Sequence, residues 1–139
     1  AYITLSQNEL NEFNYQKGDT EGVVNYALSL AGVIFAAIFI EDVEQQIVKI
    51  SLRSKGKFSV NKFARAHFDG GGHDNAAGGK SKISLDATVS KFLSILPDYK
   101  KALFIHFSAN YKLFMYGSCS TKTSFQKNIF ILFKGICKI

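Results

Sequence analysis

The chain has 139 residues, enough for one domain with a sizeable core, and its 47% hydrophobic and 20% charged residues are those of an ordinary globular protein. Its formal charge of +6 is unevenly placed: residues 1–100 hold 11 Lys/Arg and 11 Asp/Glu, whereas residues 101–139 hold six lysines and no acid. A broadly basic nucleic-acid surface is thereby not supported for the main body, and the longest apolar run, Ala31 to Ile40, is about half a membrane span, so no membrane partner is expected.

Tyr2-Ile3-Thr4-Leu5 reads as a short strand, and Ser6-Gln7-Asn8-Glu9 fits a capping box opening a brief helix with Leu10 and Phe13 on one face. After the Lys17-Gly18 turn, Asp19 is a good N-cap for a helix over Thr20–Leu30, with Val23, Ala27 and Leu30 facing the core. Thr20 and Glu21 fall in its first turn, where they either cap the helix or meet a ligand. Val33 to Ile40 is a β-branched and aromatic run suited to a buried strand. Residues 46–53 alternate, with Val48, Ile50 and Leu52 inward and Lys49, Ser51 and Arg53 on the opposite face, so the two runs form an antiparallel hairpin. Arg53 ends this strand before Ser54-Lys55-Gly56-Lys57; it is either a solvated strand end or a planar fork for bidentate phosphate contact.

Ser59 caps a helix carrying Val60, Phe63, Ala64 and His67 on one stripe, with His67 as a half-buried packing residue. From the end of that helix runs the stretch Arg65 to Gly79, RAHFDGGGHDNAAGG. Gly70-Gly71-Gly72 can turn several N–H groups to one side and make an anion-binding concavity. His73 adds an imidazole as a side-chain donor, and Asp74-Asn75-Ala76-Ala77 is expected to open a helical turn that favours a phosphate. The small side chains of Ala76 and Ala77 suit tight packing or close ligand approach. Ser84-Leu85-Asp86 then opens a helix with Leu85, Val89, Phe92 and Leu96 on its apolar face, and Pro97 is expected to stop it.

The tail from Lys101 holds six of the 13 phenylalanines and both cysteines, Cys119 and Cys137. Fragments at 104–107 and 129–133 could be strands; equally, 101–139 could be an unselected extension, since domains average about a quarter charged residues of both signs. His106 carries no signal. Two cysteines allow one disulfide at most, which favours a reducing, cytoplasmic setting. The chain begins at Ala1 without an initiator methionine, so its N-terminus reads as a cut edge.

Arg53-Ser54-Lys55-Gly56, Asn61, and Gly70-Gly71-Gly72-His73-Asp74-Asn75-Ala76-Ala77-Gly78-Gly79 together resemble the C-terminal, DHH-associated domain of DHH-family phosphoesterases. Gly18-Asp19-Thr20-Glu21-Gly22-Val23-Val24-Asn25-Tyr26 is similar to the helix opening of the short oligoribonuclease branch, which cleaves nanoRNA and dephosphorylates 3′-phosphoadenosine 5′-phosphate. The resemblance covers residues 1–100 and implies an α/β (α+β) fold, a mixed β-sheet with helices packed on it. Members of that branch end soon after about Pro97-Asp98-Tyr99, so the tail departs from the pattern.

The resemblance implies a substrate site formed by Arg53, Ser54, Gly70, Gly71, Gly72, His73, Ala77, Thr20 and Glu21, with no catalytic or metal-binding residue in the chain. In the family a larger N-terminal domain carries two manganese ions on Asp and His ligands, including an Asp-His-His triplet; here the histidines are His67, His73 and His106, and no such triplet exists. No metal is expected at Asp69, His73 and Asp74, which the resemblance assigns to substrate. The chain is therefore expected to be the substrate-binding half of a hydrolase, inactive alone, with Mn2+ in the missing DHH domain. Its expected partners are short RNA or a nucleotide phosphate, that missing domain, and a second copy in a homodimer. The competing readings are a non-catalytic RNA-binding module, like the related domain at the end of alanyl-tRNA synthetases, and a stand-alone nucleotide sensor. The neutral charge of residues 1–100 argues against the former.

Overall fold

A computed structural model describes residues 1–104, and the expectations for the chain beyond them lie outside the described residues. The elements in order are β1 (Tyr2–Leu5), α1 (Gln7–Glu12), α2 (Val23–Ser29), β2 (Phe35–Asp42), β3 (Ile47–Ser54), α3 (Val60–His67), β4 (Gly71–His73), β5 (Ala76–Ser81) and α4 (Leu85–Ile95), then a 3-10 turn (Leu96–Tyr99) and α5 (Lys100–Phe104). Five strands form one mixed sheet in the order β1-β2-β3-β5-β4, with β1 parallel to β2 and every other pair antiparallel. The fold is thus the expected α+β arrangement of helices on a mixed sheet.

β2 explains its own composition. Phe35 to Phe39 are all buried because helices cover both faces of this strand. Phe35, Ala37 and Phe39 join Val48, Ile50 and Leu52 of β3 in a core closed by Phe58, by Val60, Phe63, Ala64 and Phe68 in and after α3, and by Phe92 of α4. On the other face Ala36 and Ile38 pack with Ile3 and Leu5 of β1 beneath Leu10 of α1 and Val23, Val24 and Ala27 of α2. The β2–β3 register runs from Phe35 opposite Ser54 to Asp42 opposite Ile47, so the expected hairpin forms with its first strand two residues later than the apolar run suggests.

Local signals for helix starts hold where a side chain does the capping. Ser6 and Glu9 make the full capping box, Ser59 accepts from Lys62 N, and Ser84 accepts from Ala87 N. Asp19 does not cap α2. Its carboxylate accepts from Gln16 N at 2.8 Å within the preceding turn, and the helix starts only at Val23, after Gly22. Thr20 and Glu21 therefore precede the helix, in turns closed by Glu21 N to Gly18 O and Val23 N to Thr20 O. Nor does Pro97 end the helical path. It tightens one turn to 3-10 geometry, after which α5 continues, so Phe104 ends a helix and does not start a strand. His67 packs as expected, its ring 5.1 Å from that of Phe63 and its Nε2 2.8 Å from the Tyr99 hydroxyl. Among the described residues no helix is long and apolar enough to cross a membrane.

The β2–β3 turn carries a small strain. Gln46 is held at φ 51°, a left-handed conformation that a side chain disfavours. Gln46→Gly is expected to raise stability by about 0.5–1 kcal/mol, the relieved strain being partly offset by the freedom of glycine in the unfolded chain. Thermal unfolding checks this, and a lowered Tm would count against it.

Candidate functional site

The glycine-rich stretch is not a loop running into a helical turn. Gly71–His73 and Ala76–Ser81 are antiparallel strands joined through Asp74 and Asn75, with His73 opposite Ala76, Gly72 opposite Ala77 and Gly71 opposite Gly78. The physical reason is close backbone approach. A Cβ on Gly70 would lie 2.0 Å from Gly78 O, and one on Gly72, held at φ 152°, would lie 2.6 Å from Ala76 O. Gly79 meets Phe68 as tightly, its Cβ falling 2.8 Å from Phe68 O. These glycines let β4 lie against β5, and β5 against the end of α3; the result is a hairpin ribbon almost free of side chains.

The turn of this ribbon is latched to the β3–α3 connection. Asn75 Nδ2 donates to Ser54 Oγ at 2.9 Å and to Gly56 O at 3.1 Å, while Ser54 N donates to Asn75 O at 3.1 Å. Val60 N donates to Asp74 O, and Ser59 Oγ donates to Asp74 Oδ1, both at 2.7 Å. Asp74 and Asn75 thus fasten the ribbon to the first turn of α3, a role their sequence position does not reveal. Ser54 belongs to this latch. It is 5% exposed, and its hydroxyl also donates to Phe58 O at 2.6 Å.

Arg53 and His73 fall in one row across the sheet. Arg53 is opposite Ala76 in β5, and Ala76 is opposite His73 in β4. Cross-strand partners share a face and neighbouring strands are spaced about 5 Å, so the two stand about 10 Å apart on one side. It is the side of Ala36, Arg53's partner in β2, and α1 and α2 cover that side over β1 and β2. Over β3, β5 and β4 the same side presents Lys49, Ser51, Arg53, Ala76, Gly78, Lys80, Gly71 and His73, none of them buried. Arg53 Nη1 donates to Leu52 O at 2.9 Å, which orients the guanidinium and leaves its other donors for a ligand. Lys49 and Lys80 are engaged by Asp42 at 2.6 Å and Asp69 at 3.4 Å, and the Lys49 ammonium holds the Asp42 carboxyl below its ordinary pKa.

The sequence-derived set therefore divides. Arg53, His73 and Gly71 line one open side of the ribbon. Gly70, Gly72 and Ala77 build the ribbon itself, with Ala77 buried in the main core. Ser54 stands on the opposite face from Arg53, and no hydrogen bond or ion pair among the described residues joins Thr20 or Glu21 to either Arg53 or His73. Sequence reasoning did not single out Arg65. The Asn61–Arg65 spacing of four residues on a helix was its available signal: Asn61 Oδ1 accepts from Arg65 Nε at 3.0 Å and from Gly72 N at 3.1 Å, tying helix, guanidinium and ribbon together. Among the described residues no group of three or more His, Cys, Asp and Glu is placed to hold a metal ion.

A site of this kind can hold an anion. The solved exopolyphosphatase-related protein from Bacteroides fragilis superposes with a TM-score of 0.70 and 44% sequence identity, covering 73% of this chain and 29% of that one. The chain thus spans under a third of that relative's length. A structure of an uncharacterized protein from Helicobacter pylori G27 matches at 20% identity and a TM-score of 0.41, over 74% of this chain and 25% of that one. A comparison with curated proteins found no match. Residues 1–99 match the DHHA1 domain model, and on that match the chain belongs to the DHHA1 domain family.

Proposed function

We propose that this domain grips the phosphate end of a short oligoribonucleotide or nucleoside phosphate, as the substrate-binding part of a DHH phosphoesterase. The observation that carries this reading is the row Arg53–Ala76–His73 beside a ribbon whose backbone a ligand can approach closely. The guanidinium supplies fixed charge and forked donors, and the imidazole supplies a further donor from the opposite side of the row. Such contacts orient the ligand and neutralise its charge, which is a large share of the work in phosphoryl transfer. The parent reaction on this reading is manganese-dependent, cytoplasmic hydrolysis of nanoRNA and 3′-phosphoadenosine 5′-phosphate, the metal chemistry belonging to sequence outside this chain. DHHA1 membership and the 44% identity to an exopolyphosphatase-related protein support a hydrolase parent.

Arg53→Ala is expected to weaken binding of a nucleoside 5′-monophosphate about tenfold or more, because a charge-assisted hydrogen bond is worth roughly 1.5–3 kcal/mol. Calorimetric titration of the protein measures it, with the unphosphorylated nucleoside as control. Unchanged affinity in the variant would remove the basis of this reading.

A further inference from the structure

A second guanidinium lies against the glycine ribbon. Arg65 is in the last turn of α3 and is exposed, yet its Nε is fixed by Asn61 Oδ1 at 3.0 Å. A Cβ built on Gly71 would lie 3.3 Å from that Nε and 3.5 Å from the guanidinium carbon. Gly71 is opposite Gly78, and Gly78 is opposite Ser51, so Gly71 faces the side of the sheet that carries Ser51 and Arg53. Arg65 springs from the helix covering the other face. It nevertheless reaches the β4 edge, where its Nε and guanidinium carbon lie beside Gly71.

Among the described residues nothing uses the outer end of this side chain. No hydrogen bond or ion pair among the described residues engages its terminal amino groups, and the carboxylates of Asp42 and Asp69 are paired with lysines. Anchoring through Nε removes rotamer freedom before any ligand arrives, which lowers the cost of binding. It leaves the terminal donors free to take a phosphate. Gly71 adds no side chain to keep a ligand from this guanidinium.

We propose that Arg65 binds a second phosphate of the ligand, with Asn61 as its positioning residue. Resting on the reading above, this specifies the ligand further: two phosphates separated by a nucleoside, one held by Arg53 and His73 and the other by Arg65 across the Gly71–Gly78 floor. β3 and β4 are two strand spacings apart, about 10 Å, with Arg65 beyond them, a width that disfavours two phosphates sharing one oxygen.

The test is calorimetric titration of the protein with a 5′-phosphorylated dinucleotide, a nucleoside 5′-monophosphate and a nucleoside 5′-diphosphate. The dinucleotide is expected to bind about tenfold or more tightly than either mononucleotide. Arg65→Ala should bring the dinucleotide to the monophosphate level while leaving the monophosphate within about twofold, and Arg65→Lys should recover only part of the loss. Asn61→Ala should weaken dinucleotide binding several-fold more in the parent protein than in the Arg65→Ala background, where only its separate bond to Gly72 N is lost, the coupling expected of a residue that acts largely through another. The inference is overturned if Arg65→Ala leaves dinucleotide affinity unchanged, lowers both ligands alike, or affects the diphosphate most. Failure of the underlying reading looks different, since there Arg53→Ala would leave monophosphate binding intact. Arg65 is exposed, so a matching thermal transition will show that its variants fold.

Discussion

Gly70→Ala is expected to cost about 3 kcal/mol of stability or to force β4 away from β5, because the new methyl has nowhere to go. Its carbon would lie 2.0 Å from Gly78 O and 2.6 Å from Gly79 Cα, and both belong to a strand hydrogen-bonded to β3 along its length. Backbone held from both sides cannot yield as the tip of a side chain can. Gly71→Ala makes the comparison. There the new atom meets Arg65 Nε at 3.3 Å and Asn61 Oδ1 at 3.4 Å, both on side chains that can shift, so the expected cost is within about 1 kcal/mol. Urea unfolding of the two variants, with amide exchange at Gly72 and Ala77, reads the difference. If the alanine at position 70 unfolds at the parent midpoint, the account of the ribbon as a product of backbone packing is wrong.

Phe63→Ala is expected to destabilise the fold by about 3–5 kcal/mol, against the roughly 5–15 kcal/mol that holds most domains folded. Phe63 is fully buried, and its ring centroid lies 5.3 Å from that of Phe35, 5.0 Å from Tyr99, 5.9 Å from Phe68 and 6.0 Å from both Phe58 and Phe92. The cavity would open beneath α3, the helix that carries Asn61 and Arg65 to the ribbon, so ligand affinity should fall along with stability. Tyr26→Ala is the control. This side chain is 66% exposed, and its removal should change stability by no more than about 0.5 kcal/mol. Equal midpoints for the two variants in denaturant would show that the aromatic cluster does not hold the sheet and its helices together.

What could be read from the amino acids depended on whether a signal was local. The capping hydroxyls of Ser6, Ser59 and Ser84, the alternation through Val48, Ile50 and Leu52, and the apolar run of β2 all act within a few residues, and each marks its element. β4 and β5 left no such mark. Gly71-Gly72-His73 and Ala76-Ala77-Gly78-Gly79 have neither β propensity nor alternation, and they are strands because glycine permits a backbone contact between segments distant from any such pattern. Arg53 and His73 stood out by residue type and neighbours, but their shared row arises from the turn at Asp74-Asn75 and its bonds to Ser54, Gly56, Ser59 and Val60. Ser54 joined the expected site only through the Arg53-Ser54-Lys55-Gly56 resemblance; the strand period places it on the buried face, away from Arg53. Arg65 gave the weakest hint of all, since its relevance comes from how α3 lies along an edge strand.

That edge has one more implication. A short strand of bare glycine at the end of a sheet is an open invitation for another chain to add itself. The Gly72 amide is already taken by the Asn61 carboxamide, with the α3 backbone standing behind it. Among the described residues the chain thus occupies its β4 border with one side-chain amide, an internal substitute for the strand that could otherwise pair there.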